Sequence, residues 1–144
     1  MISLFITIAG FVIGLGAVTV IDIHGFLGRT SPYWTEATIR THKVTKPLIW
    51  CGMILVIIGT YLLFKDGLLD TNTYAHILGV EFIMILNGCF LSFVISPFLL
   101  NQEREGKSRE LLSQSLQYKI AISFVVSFVS WWGFLYYLLA IIAK

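Results

Sequence analysis

The chemistry open to this chain rests on few residues: three histidines, eight carboxylates and two cysteines among 144 positions. His24 and His42 are the pair worth pursuing. Neutral imidazole suits a b-type haem or a transition-metal ion, and the two rings would share a level if the first two helices fold back on each other. The same positions also suit a hydrogen-bonding or pH-sensitive role at a membrane interface. No histidine pair on one helix face, no Cys-x-x-Cys-His motif and no ligand quartet narrows that choice. His76 belongs near the other membrane surface and cannot join the pair. Glu81 is the strongest single pointer to function, because it is the one charge inside an otherwise apolar run. A carboxylate at membrane depth is costly, so it should face the interior, be protonated or reach external water, and proton or cation handling follows naturally. Asn87, near mid-span, needs a partner on another helix, which Ser123, Ser127 or Ser130 can supply. Asp22, two residues before His24, is expected on nearly the opposite face, meeting Arg29 or Lys43. Cys51 and Cys89 fall inside apolar runs and read as small buried hydrophobes.

These groups must be positioned by four apolar runs. Residues 1–21, 47–64 and 120–143 carry no charge, and residues 77–100 carry only Glu81. A helix crossing the hydrocarbon core needs about 20 such residues. A hydrophobic fraction of 57%, a charged fraction of 12% and a mean hydropathy of +0.84 lie outside the range of soluble domains. The predicted fold is all-α: a polytopic, antiparallel four-transmembrane-helix bundle. It forms one domain over residues 1–144, with spans at about 2–24, 47–64, 76–100 and 119–143. The first run lacks a basic leader and an Ala-x-Ala site, so it is expected to stay as a span.

Basic residues orient the bundle. Arg29, Arg40, Lys43, Lys46, Arg104, Lys107, Arg109 and Lys119 fall on one side, while Lys65 and Lys144 fall on the other. That asymmetry predicts an inner (plasma) membrane protein with both termini extracytoplasmic. Tyr61, Tyr74, Tyr136 and Tyr137 would then form the outer aromatic belt. Ser31-Pro32 reads as an N-cap with proline at the first helical position, so the second helix should begin on the cytoplasmic side and bend at Pro47. Ser108, Glu110 and Leu111-Leu112 suggest a similar cytoplasmic extension of the fourth. Turns are expected at 102–107 and around Asp66-Gly67. Small residues mark the faces that meet: Gly10 and Gly14 on the first helix, Gly52 and Gly59 on the second, Gly88 on the third, and Ser123, Ser127 and Ser130 on the fourth. Trp131, Trp132 and Phe134 are expected to face lipid or a partner.

The stretch from Gly14 to Asp22, followed by Lys46-Pro47-Leu48-Ile49-Trp50 and Gly59, resembles a poorly characterised prokaryotic group of small four-helix membrane proteins. That group is itself similar to the copper-resistance D proteins and the four-helix bacterial protoporphyrinogen oxidases. The resemblance covers the first two helices and implies the bundle fold, with His24 and His42 as haem or copper ligands. The chain departs from the oxidase pattern in having no histidine before the far end of its first helix, so the oxidase activity is not implied. Three functions are therefore expected to compete: haem or metal handling at His24 and His42, a non-catalytic subunit or scaffold, and a proton- or ion-coupled transport element using Glu81. Beyond the lipid bilayer, other membrane subunits or a second copy of the chain would be the partners. Nucleic-acid and nucleotide binding are not supported, since topology accounts for the basic residues and no phosphate loop or catalytic triad is readable.

Overall fold

The computed structural model describes residues 1–143, and Lys144, counted above among the basic residues, lies outside them. Every regular element among the described residues is helical: α1 (Ile2–Leu27), α2 (Pro32–Lys65), α3 (Thr71–Phe90), α4 (Ser96–Arg104) and α5 (Gln114–Ile142). One π-turn, Leu91–Ile95, joins α3 to α4, so residues 71–104 form a single interrupted helix. Four segments are thus long and apolar enough to cross a bilayer. The 34 residues of α2 run for roughly 51 Å, well beyond a hydrocarbon core of about 30 Å.

Local chemistry explains most boundaries. Pro32 opens α2, where its missing N–H costs nothing. Asp70 caps α3 by accepting from the Thr73 amide at 2.9 Å. Gly67 and Gly106 take the left-handed backbone of their turns, with φ near +73° and +72°. Helix α4 continues to Arg104, so the turn expected at 102–107 lies later, at 105–113, and α5 begins only at Gln114. The π-turn has its cause in Pro97. That residue cannot donate to the Phe93 carbonyl, and the Ser96 amide instead reaches Leu91, five residues back.

Helices α1 and α2 form the most intimate pair, with residues early in α1 meeting residues late in α2. Ser3 donates to Asp66 at 2.7 Å, Gly59 packs on Thr7, Gly10 on Gly52 and Val56, and Thr35 donates to the Gly28 carbonyl at 2.9 Å. Glycine is required along this seam. A Cβ added at Gly10 would lie 2.6–2.8 Å from Leu55, Val56 and Gly52, closer than real contacts allow. Gly14 serves α5 as well, opening a slot for the Trp131 indole. Gly88 sits over Met53 of α2. The hydroxyls of Thr7, Thr38, Thr45 and Ser130 bond back to carbonyls four residues earlier, so these polar groups enter the interior already satisfied.

Two cores result. The larger runs through the span region around Val56, Met84, Trp131 and Phe134. The smaller gathers Ile39, Ile95, Leu99, Leu112, Leu116 and Ile120, joining the start of α2 to α4 and the start of α5. Trp131 and Phe134 are therefore core residues packed on Phe11, not lipid-facing ones, and only Trp132 of that trio is exposed. Cys51 is exposed and Cys89 partly so, reversing the burial expected of them. The outer surface carries Phe5, Val12, Phe82, Phe93, Ile122 and Val129, the apolar coat that lipid requires.

Candidate functional site

The chemistry-bearing residues collect at the end of the bundle that carries the 28–31 and 105–113 connections. Asp22 of α1, Thr38, His42 and Lys46 of α2, and Ser92 on the π-turn line one cavity of about 40 Å³, with a wall otherwise mainly of apolar side chains. Two or three waters at about 10–15 Å³ each would fill it. His42 is buried, and its Nε2 has no hydrogen-bond partner among the described residues. An imidazole nitrogen left so is a costly arrangement unless something in the cavity meets it. The Trp50 indole donates to Ser92 Oγ at 3.1 Å and holds the π-turn against α2.

Asp22 is the hub. It is buried rather than paired with Arg29 or Lys43, because α5 packs against its side of α1 and supplies a hydroxyl. The Ser127 hydroxyl faces the Asp22 carboxylate without closing a short bond, and Ser127 Oγ accepts from Asn87 Nδ2 at 2.7 Å. Ser123 Oγ donates to Asn87 Oδ1 at 2.9 Å, and Asn87 Nδ2 also reaches the Ser123 carbonyl. The result is a hydrogen-bonded bridge between α5 and α3, with the Asp22 carboxylate of α1 beside it. Asp22 also borders a second cleft of about 230 Å³ between α1 and α5, lined by Phe124, Phe128, Trp131 and Trp132. One carboxylate thus separates an inner cavity from a lipid-side cleft.

His24 stands apart from this cavity. Its Nδ1 and Thr41 Oγ1 share a 3.1 Å hydrogen bond, and its ring lies against Trp34 at 5.2 Å. The cavity lining includes His42 but not His24. The space beside His42, about 40 Å³, is smaller than the roughly 300–1,000 Å³ of ordinary ligand sites. Among the described residues, no group of three or more His, Cys, Asp or Glu converges as a metal cage. His76 lies at the opposite end, stacked on Tyr137 and bonded to the Asn72 carbonyl.

Glu81 lies on α3 six residues before Asn87, about 9 Å nearer the end that holds the chain termini. It is 2% exposed, and its Oε1 has no partner among the described residues. The Thr60 hydroxyl of α2 faces the carboxyl without closing a short bond. Glu81 therefore points at α2, while Asn87 points at α5.

Sequence reasoning missed three members of the site: Asp22 as an interior group, Lys46 beside His42, and Ser92 on the π-turn. A signal existed for the last, since Pro97 inside an apolar run must disturb the ladder behind it. No family model, no curated protein and no solved structure matches the chain, so the resemblance over the first two helices rests on the residues quoted for it.

Proposed function

We propose that this chain is a small multi-pass membrane protein that handles protons through the Asp22–His42 cavity, with Glu81 as a second protonatable group toward the opposite end. The observation that carries this is a buried carboxylate and a buried imidazole with a free nitrogen lining one water-sized cavity. An acid and a base lining one water-filled cavity can exchange a proton through it without large motion. The bundle is antiparallel, with both termini extracytoplasmic and the projecting starts of α2 and α5 on the cytoplasmic side, as the basic residues favour. A single four-helix bundle leaves little space for a path, so a second copy or another membrane subunit is the natural partner.

The test is proton flux into liposomes holding the purified chain, driven by a potassium diffusion potential and read with an entrapped pH dye. Flux above that of empty liposomes, falling at least tenfold in Asp22→Asn and in His42→Gln, is the expected result. Flux equal to empty liposomes would sink the proposal. One observation favours the competing haem or transition-metal function: the free His42 Nε2 is a ligand-ready nitrogen. A Soret band or stoichiometric metal in protein from haem-replete cells, lost in His24→Ala or His42→Ala, would replace proton handling with that function.

A further inference from the structure

The π-turn opens a third space on the other side of Lys46. This cleft, about 530 Å³, faces outward at the basic end and is lined by Lys46, Ser92, Ser96, Phe98, Asn101 and Arg104 among others. Its charge is lopsided. Four ion pairs occur among the described residues, joining Arg40 and Arg109 to Glu36, Lys43 to Glu103, and Lys107 to Glu105. Among the described residues, Lys46 and Arg104 have no carboxylate within ion-pair distance, and Lys119, whose Nζ lies 5.9 Å from the Phe98 ring centroid at the cleft's edge, has none either. Glu105, next to Arg104 in the chain, is already held by Lys107 and by Asn101 Nδ2 at 2.7 Å. Glu103, on the same turn, is taken by Lys43.

A second observation points to a ligand. Ser96 is 2% exposed and lines the cleft, yet its hydroxyl makes no hydrogen bond within the described residues. Ser92 Oγ accepts from Trp50 and keeps its own proton to donate. Two hydroxyl donors thus stand beside two uncompensated cations. The surroundings are those of a lipid: Phe93 and Phe98, on the same helical segment, project outward with 76% and 57% of their surface exposed.

We propose that this cleft binds the phosphate headgroup of an anionic phospholipid. Lys46 and Arg104 neutralise the phosphodiester, Ser92 and Ser96 donate to its oxygens, and the acyl chains run along Phe93 and Phe98. Lys46 and Ser92 are also walls of the Asp22 cavity, so the bound headgroup would sit one side chain away from the proposed proton site. The lipid site does not depend on that function and is tested separately.

The test is native mass spectrometry of the full chain released from detergent after equilibration with phosphatidylglycerol or phosphatidylcholine. Retention of one phosphatidylglycerol and not of phosphatidylcholine is expected. Lys46→Gln and Arg104→Gln should each weaken retention about five-fold, the scale of one cation near a charged lipid surface. Lys46→Arg and Arg104→Lys should restore it, and Arg29→Gln, outside the cleft and in none of the four ion pairs, should leave it unchanged. Equal retention of the two lipids, or wild-type retention by the Lys46→Gln/Arg104→Gln double variant, would overturn the proposal. Displacement by millimolar inorganic phosphate as readily as by phosphatidylglycerol would also overturn it, assigning the cleft to a soluble phosphate.

Discussion

At the scale of the residue, this protein's interior is decided by where each polar atom finds its partner. Asn87 is buried at mid-span and fully engaged by Ser123 and Ser127. Asn87→Ala would remove that bridge and leave the two serines with fewer partners. Interhelical bonds of this kind are worth about 0.6 kcal/mol and rarely above about 1.7. We expect Asn87→Ala to cost about 1–2 kcal/mol in thermal or denaturant unfolding of the detergent-solubilised protein. A loss under about 0.3 kcal/mol would mean the bridge contributes nothing. Glu81 and His42 sit at the other extreme, each with an atom that nothing nearby satisfies. Such atoms are kept where a function uses them.

At the scale of the element, two features set the architecture. The α1–α2 seam depends on glycine, because backbones can close to contact only where no Cβ intervenes. Gly52→Leu should therefore separate the hairpin and abolish folding, while Gly79→Ala, with nothing within 4 Å of the added Cβ, should raise stability by about 0.5–1 kcal/mol. Parallel unfolding curves of the two variants would check this, and a well-folded Gly52→Leu protein would refute the tight seam. The second feature is the link between the 105–113 turn and the start of α2. Arg109 donates to Glu36 at 2.8 Å, and with Arg40 nearby it holds the Glu36 carboxyl below its ordinary pKa near 4.5. A lowered folded-state pKa stabilises above the unfolded value, and that contribution disappears as pH falls through the folded one. The turn should thus loosen only below about pH 4.5. Amide exchange in residues 105–113 should quicken there and already be quick at pH 7 in Glu36→Gln. Equal exchange in wild type and Glu36→Gln at pH 7 would show that the pair does not anchor the turn.

At the scale of the whole molecule, the two ends differ in kind. One end holds the chain termini and a stacked cluster in which Phe64 meets Tyr74 and His76 meets Tyr137. The other holds eight basic residues, the second core, the Asp22 cavity and the Lys46 cleft. In a background lacking Cys51 and Cys89, Leu68→Cys should react with an impermeant maleimide added outside intact cells, and Ser108→Cys only after lysis. The reverse pattern would invert the orientation proposed here, though not the fold.

Much of this was legible in the residues themselves. Length and apolarity demand four spans, because hydrocarbon leaves the backbone no partner but itself. The small-residue positions Gly10, Gly14, Gly52 and Gly59 name the seam, because only they allow close approach. Four outcomes lay beyond such rules. Asp22 turned inward because α5 packs against that side of α1 and brings Ser127, and angular position on a helix says nothing about which neighbour arrives. Trp131 and Phe134 became core for the same reason, with Gly14 providing the slot, while Cys51 turned outward. His24 and His42 parted because a one-residue step on α2 separates Thr41 from His42 by about 100° of helix, sending one toward His24 and the other into the cavity. Composition and spacing determine that a chain enters the membrane and which side chains can afford to meet there. Which of them do meet is decided by the packing of all four spans at once, and so the Asp22–His42 cavity exists only in the assembled bundle.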